Sequence, residues 1–267
     1  MPQAFFLDGA AGSLFCTGSL HGKMRGPRRK VLIVPPFAEE LNKSRHVLAT
    51  LAAAIGEAGH DVLMPDLFGT GDSAGDFSEA SLEIWRTDLD VTIGRLDPDG
   101  ELELVGLRAG GLLAADITRR HGVKSLALLH PIADGKQQLT QMLRLRLAGG
   151  LMGGGEKETA KQLRQRLADG ECLEIAGYGL SGQLAADLET LALSKIPLLD
   201  VEQVHWIEVV PQPDRSLMPV SQRLIDGWQE NGVAVDSAVV VCDQFWATQE
   251  IAPCRGIVDE TMKYFAS

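Results

Sequence analysis

Short apolar runs alternate along the chain with longer segments in which apolar residues recur every three or four positions. The run Lys30–Val34 ("KVLIV") precedes a segment with helical spacing, "SRHVLATLAAAIGEAG", which is followed by the apolar "HDVLMPD". Continuous apolar runs are typical of strands that are buried on both faces of a parallel sheet. Because the alternation continues through "LELV", "KSLALLHP", "VHWIEVVP" and "AVVVC", it predicts an α/β fold with a doubly wound, mostly parallel sheet.

Two segments depart from this alternation. The opening "QAFFLD" and "GSLFCTG" predict an antiparallel hairpin on one edge of the sheet. Residues 134–195 have a helical pattern and a glycine cluster, which lacks the G-K-[ST] ending of a phosphate-binding loop and so favours a flexible hinge. We therefore expect a core of residues 1–133 and 196–267, with a helical cap inserted at 134–195.

Composition narrows the classes of partner. The chain has 36 acidic and 25 basic residues, and its net charge of -11 argues against nucleic acid or an anionic membrane as the main partner. No apolar run approaches the roughly 18 residues of a transmembrane helix, and the first residues do not resemble a signal peptide. The four cysteines show no paired spacing, so we expect reduced, buried thiols and a cytoplasmic protein. Metal-ligand spacing is absent as well, and no metal or cofactor is expected.

The stretch "VGLRAGG" places an arginine at the tip of a predicted turn between strand and helix. Residues Gly106 to Gly110 fill the G-x-S-x-G pattern of a nucleophile elbow, and Arg108 occupies the position of the serine. One strand earlier, "DLFGTGDS" resembles the D-L-x-G-x-G-x-S loop that is frequent in α/β-hydrolases. The two motifs together indicate the α/β-hydrolase superfamily over nearly the whole chain except the cap.

A narrower resemblance rests on five separated stretches. The chain resembles the exosortase A system-associated hydrolases of the second type in "PPFAEELNKSR", "DLFGTGDSAGDF", "GLRAGGLLA", "HPIADGKQQLTQMLRLRLA" and "QFWATQEIAPC". The resemblance implies a role beside bacterial exopolysaccharide production and protein sorting to the envelope. It implies as possible partners a small acyl or saccharide ligand, a second copy of the chain in a homodimer, or an enzyme of envelope polysaccharide synthesis. It supplies no substrate.

The residues of a serine-hydrolase triad are only partly present. Such a triad needs a nucleophile, a carboxylate and a histidine in that chain order. Asp214 follows the strand "VHWIEVVP" and fits the carboxylate position, although it fits a loop residue before a helix equally well. No histidine follows His205, and the loop after "AVVVC" offers Gln244, Phe245 and Trp246 instead. The six histidines are therefore interpreted as structural, and Ser73 as a turn residue.

The anion-binding half of a hydrolase site is easier to recognise. An oxyanion hole needs backbone N–H groups, and the sequence offers those of Ala109, after the elbow residue, and Phe37, after two prolines that have none. Around these donors we expect a pocket that includes Glu39, Glu40, Gln244, Phe245 and Trp246. For the two aromatic residues, packing in the core is the alternative interpretation.

Two interpretations of Arg108 remain open. A guanidinium is neither a base nor a practical nucleophile at neutral pH, and burying it without a partner would cost several kcal/mol. Either it forms an ion pair with Glu39, Glu40 or Asp214 and fills the former active site, or it binds an anionic ligand such as an acyl carboxylate or a phosphate.

Two hypotheses of function follow. In the first, the protein lacks the usual serine triad and binds an anionic or acyl ligand. In the second, it is an ester or thioester hydrolase of nonstandard arrangement, with water activated by Asp214 or a glutamate. The missing serine and histidine favour the first hypothesis.

Overall fold

The computed structural model describes residues 3–21, 28–96, 102–152, 158–198 and 200–265, with side chains given outside 150–152. The glycines at 153–155, which belong to the predicted hinge, lie outside the described residues. Gly149 and Gly150 lie inside a helix, so the hinge prediction is wrong for these two.

Ten strands are described: β1 (Gln3–Asp8), β2 (Ser13–Ser19), β3 (Lys30–Val34), β4 (Asp61–Pro65), β5 (Leu102–Leu107), β6 (Ser125–Leu129), β7 (Leu173–Ile175), β8 (Tyr178–Leu180), β9 (Gln203–Val210) and β10 (Ala234–Val241).

Eight of these strands form the central sheet, in the order β1-β2-β4-β3-β5-β6-β9-β10. β2 pairs antiparallel with both β1 and β4, and every other neighbouring pair is parallel. The mostly parallel sheet and the antiparallel hairpin at one edge are therefore confirmed.

Eight helices accompany the strands in the described part of the chain. They are α1 (Glu39–Glu57), α2 (Leu82–Leu96), α3 (Ala109–Ile117), α4 (Gly135–Met152), α5 (Ala160–Ala168), α6 (Gly182–Glu189), α7 (Pro219–Glu230) and α8 (Arg255–Phe265), with 3₁₀ turns at Phe77–Glu79 and Leu193–Lys195. None of the helices in the described ranges has the length and apolar character needed to cross a membrane.

Both faces of the sheet are covered at its middle, which explains why β3 and β6 are apolar after their first residue. Along β3, Val31 and Ile33 pack with residues of α1 and α8 on one face. Leu32 and Val34 pack with residues of α2, α3 and α7 on the opposite face. Successive side chains of a strand point to opposite faces, so a strand enclosed by two helical layers needs an apolar residue at every position.

The strand order reverses between β3 and β5, and this reversal places the site. The chain leaves β3 toward β4 on one side and later returns to β5 on the other side, where Val34 pairs with Gly106. Connections that diverge in this way leave a crevice at the carboxyl ends of the two strands, where ligands bind in open α/β sheets. The first turn of α1 and the tip of the β5–α3 turn both lie at this edge.

The segment between β6 and β9 contains α4, α5 and α6, and it also contains a two-stranded antiparallel hairpin formed by β7 and β8. The predicted cap is therefore not purely helical. A bridge between Asp134 and Ala192 joins the chain near the two ends of the predicted insertion. The boundaries 134 and 195 stay a prediction.

The four cysteines differ from expectation. Cys242, which follows β10, forms a disulfide with Cys254, which precedes α8, so the prediction of reduced thiols is wrong for this pair. Cys16 is a buried free thiol, whereas Cys172 is free but exposed. Burial raises the pKa of the Cys16 thiol to about 12, which keeps it protonated and inert at neutral pH. Disulfides are more frequent in oxidising compartments, so the cytoplasmic location stays a prediction.

Gly110 sets the distance between α3 and the sheet, and this can be tested. A Cβ atom at Gly110 would lie 2.2 Å from the backbone oxygen of Val34. Gly110→Ala should therefore lower the free energy of unfolding by about 1–3 kcal/mol, the usual cost of overpacking. Gly94→Ala is the matched control, because no atom lies within 4 Å of the added Cβ. Gly94 is an exposed position of helix α2, so the alanine should raise stability by about 0.5–1 kcal/mol. Urea denaturation of both variants measures the two effects, and equal effects would contradict the explanation.

Candidate functional site

Arg108 occupies the tip of a sharp turn between β5 and α3. Its backbone has φ 56° and ψ -124°, which is unusual for a residue with a side chain. The turn is tight because helix and strand approach closely: a Cβ on Gly106 would lie 2.4 Å from the Cα of Gly111. A strained turn of this kind presents the side chain at its tip to the crevice, as a nucleophile elbow does. Here it presents a guanidinium group.

The guanidinium is buried and paired. Arg108 is 6% exposed, and its Nε and Nη2 donate to Oε1 of Glu40 at 3.3 and 3.0 Å. Nη2 also donates to Oε1 of Gln141 at 2.9 Å, and the guanidinium carbon lies 4.9 Å from the ring centroid of Trp246. Of the three carboxylates predicted as partners, Glu40 makes the contact.

The local fold explains why Glu40 suits this position. Glu39 and Glu40 form the first turn of α1, where the helix dipole favours negative charge. Glu39 pairs with Lys43 at 2.6 Å. Arg108, in contrast, stands at the N-terminus of α3, where the dipole disfavours a cation, so its stability depends on Glu40. The two ion pairs leave no net charge among these four side chains.

His130 adjoins the same group, which the sequence did not indicate. It follows β6 directly with φ 41°, and its ring lies 4.7 Å from that of Trp246. Its Nδ1 accepts a hydrogen bond from the backbone N–H of Val209 at 3.1 Å. Burial, and secondly the charge of Arg108, lower the pKa of His130 to about 3. The imidazole is therefore neutral at pH 7, with the lone pair of Nδ1 engaged and unable to take a proton from a nucleophile.

A cavity of about 310 Å³, here called the crevice, opens beside Arg108. Four of the predicted pocket residues line it (Glu39, Glu40, Gln244 and Trp246), together with Phe37. Helix α4 of the predicted cap supplies a further set at helical spacing, which the sequence analysis did not select: Gln138, Gln141, Met142 and Leu145. Residues three and four apart share one helix face, so this spacing is the signal by which the sequence could have indicated that these four residues line one surface.

Two predicted site residues lie elsewhere. Asp214 is exposed in the loop after β9 and does not line the crevice, so it does not contact Arg108. Phe245 is fully buried and packs in the core beneath α1 and α8, so it is not part of the pocket wall. Ala109 begins α3 and is buried. The roles of the Phe37 and Ala109 N–H groups as an oxyanion hole stay a prediction.

Ser73 is a turn residue, as the sequence indicates. Its hydroxyl donates to the backbone oxygen of Asp66 and accepts from the N–H of Phe15 at 2.8 Å. The Asp66 carboxylate accepts both terminal nitrogens of Arg45 at 3.1 and 3.0 Å. The "DLFGTGDS" loop therefore holds itself in place with the polar groups that a catalytic role would need free.

Among the described residues that line the crevice there is no serine, threonine, cysteine or histidine. The group at the elbow is a paired cation, and the neighbouring imidazole is already engaged. Within the described ranges, no group of three or more His, Cys, Asp or Glu residues is placed to hold a metal ion.

Comparison with known proteins supports the fold. No protein-family model and no curated protein matches the sequence. Among solved structures, Est1E from Butyrivibrio proteoclasticus with bound ferulic acid superposes with a TM-score of 0.68 at 14% identity, covering 98% of each chain. A structure from a study of carboxylesterases of Nitrososphaera gargenis gives 0.62 at 15% identity, covering 98% of this chain and 97% of that one. Mouse α/β hydrolase domain-containing protein 10 gives 0.58 at 16% identity, covering 99% and 98%. The chain has the α/β-hydrolase fold, as the sequence predicts.

The pairing of Arg108 with Glu40 predicts a strong energetic coupling. Arg108→Met should lower the free energy of unfolding by about 3 kcal/mol, because it leaves the Glu40 carboxylate partly buried without its counter-charge. Glu40→Gln alone should be destabilising as well. The double variant should recover part of the loss, giving a coupling energy above about 1 kcal/mol in a double-mutant cycle measured by urea denaturation. Strictly additive effects would show that the contact contributes nothing.

The depressed pKa of His130 predicts a pH dependence of stability. Between about pH 6.5 and pH 3 the unfolded chain binds a proton at His130 that the folded chain does not bind. The free energy of unfolding should therefore fall as pH falls through this window, by up to about 1.4 kcal/mol per pH unit from this group. His130→Gln keeps an acceptor near Val209 but cannot be protonated, so its stability profile should be flatter. Denaturation midpoints at several pH values give both slopes, and parallel profiles would contradict the assignment.

Proposed function

We propose that this α/β-hydrolase-fold protein binds a small ligand in the crevice and does not carry out the serine-hydrolase reaction. One observation carries the proposal. The residue at the elbow is Arg108, whose guanidinium is buried and committed to Glu40 and Gln141. A permanently charged guanidinium cannot attack a carbonyl carbon.

The remaining triad positions support the same proposal. The loop after β10 carries Trp246 against Arg108 where a hydrolase would carry its histidine. His130 is held neutral, with Nδ1 bonded to Val209. Asp214 faces solvent. In a serine hydrolase the nucleophile is hydrogen-bonded to a histidine, and that histidine to a carboxylate. The residues at the corresponding places of this chain make no such series, which favours binding over catalysis.

The finer expectations from the sequence belong to this proposal. The role beside exopolysaccharide production and envelope sorting rests on the five resembling stretches alone. An anionic or acyl ligand would have to displace Glu40 from Nε and Nη2 of Arg108, or bind at Nη1. Displacement would leave the Glu40 carboxylate unpaired, which is costly. The crevice therefore favours an uncharged ligand over an anion.

Activity assays test the proposal directly. The purified protein should not hydrolyse short-chain p-nitrophenyl esters above the uncatalysed rate, and a fluorophosphonate probe should not label it. Ser73→Ala and Glu40→Gln serve as controls for a hidden nucleophile or for water activated by a glutamate. Turnover or labelling that is lost in either variant would establish the alternative, an ester or thioester hydrolase of nonstandard arrangement, and would overturn the proposal.

A further inference from the structure

Two residues that line the crevice each carry a buried side-chain oxygen with no partner among the described residues. The oxygens are Oε2 of Glu40 and Oε1 of Gln138. Gln138 is only 4% exposed, so solvent has little access to its amide. Buried polar atoms in native proteins are almost always hydrogen-bonded, so two unpaired oxygens on residues of one cavity call for an explanation. A ligand that donates one hydrogen bond to each oxygen would supply the missing partners.

The crevice also presents donors beside these acceptors. Arg108 uses Nε and Nη2 for Glu40 and Gln141 and leaves Nη1 without a partner among the described residues. Gln141 accepts through Oε1, so its NH₂ group remains to donate. A ligand that fits this set must both donate and accept within a small space. Hydroxyl groups do both, whereas a carboxylate only accepts and an ammonium group only donates.

Charge and shape point in the same direction. The four charged side chains at the crevice, Glu39, Glu40, Lys43 and Arg108, form two ion pairs, so the lining carries no net charge. A neutral ligand is not required to displace either pair. The volume of about 310 Å³ lies at the lower end of the range for small-molecule sites, which suits a single sugar unit. Leu145, which lines the crevice and is 41% exposed, supplies apolar surface for the C–H face of such a ring.

We propose that the crevice binds a neutral polyhydroxylated ligand, a saccharide unit of which two hydroxyl groups donate to Glu40 Oε2 and Gln138 Oε1. The inference rests on the proposed function and specifies its ligand class. Arg108 then holds Glu40 through Oε1, which leaves Oε2 for the ligand, and its Nη1 donates a hydrogen bond to the oxygen of a further hydroxyl group.

Gln138→Leu separates this binding role from a structural one. Leucine has a similar size and no polar atom, so the variant should melt at the same or a higher temperature than the wild type, because an unpaired buried acceptor has been removed. The same variant should bind a saccharide about tenfold more weakly. Gln222→Leu, on the exposed face of α7, is the matched control and should leave the affinity unchanged. A structural role for Gln138 would instead lower the melting temperature of Gln138→Leu.

The binding measurement uses calorimetric titration of the full chain with methyl glycosides of glucose, galactose, mannose and N-acetylglucosamine. Octanoate and tetramethylammonium serve as anionic and cationic probes. At least one glycoside should bind with a Kd in the millimolar range or below, equivalent to about 4 kcal/mol, and both charged probes should fail. Binding of octanoate or tetramethylammonium but of no glycoside would overturn the saccharide inference and leave the proposed binding function intact. Absence of binding by all six probes would overturn the inference, while ester turnover would overturn the proposed function independently.

Discussion

The pairing of Arg108 with Glu40 is the contact on which the site depends. The strained turn after β5 directs its side chain into the crevice whatever that side chain is. Because the side chain is a guanidinium, burial is tolerable only with a carboxylate and further acceptors nearby. Glu40 comes from the first turn of α1 and Gln141 from α4. One cation therefore links the turn after β5 with helices α1 and α4.

The same fold supports hydrolases and this arrangement because the fold fixes positions and not chemistry. The reversal of strand order between β3 and β5 creates a crevice, and the close approach at Gly106 and Gly110 creates a turn that presents one side chain. In an esterase the presented group is a hydroxyl with an imidazole beside it. Here the presented group is a guanidinium paired with Glu40 and Gln141, so the same turn holds a different chemical group.

The fold followed from the sequence to the extent that it depends on local patterns. Apolar runs between helical segments predict the strands at the middle of the sheet, since a strand enclosed on both faces tolerates few polar residues. The edge strands β1 and β10 are largely exposed, so this reason does not apply to them. The first turn of α1 was not predicted, because Ala38 precedes it and has no side chain that could cap the helix. The β7–β8 hairpin was not predicted, because strands of three residues are too short to show an alternation of apolar and polar positions.

The site was predictable only where the order of strands in the sheet is enough to bring two residues together. Glu40 and Arg108 could be linked, because both follow adjacent parallel strands. Gln138 could not, since its place depends on how α4 folds back over the sheet. Asp214 was misplaced because a loop after a strand can turn toward the crevice or away from it, and nothing in the local sequence decides which.

The Cys242–Cys254 bond turns the segment that carries Trp246 into a closed covalent ring. Such a ring restricts the unfolded chain and so lowers the entropic cost of ordering the loop that places Trp246 against Arg108. The sheet itself needs no such bond, since its strands are held by backbone pairing and by two apolar layers. Reduction of the bond would therefore remove a restraint from the segment that carries Trp246, while the sheet would keep its own pairing.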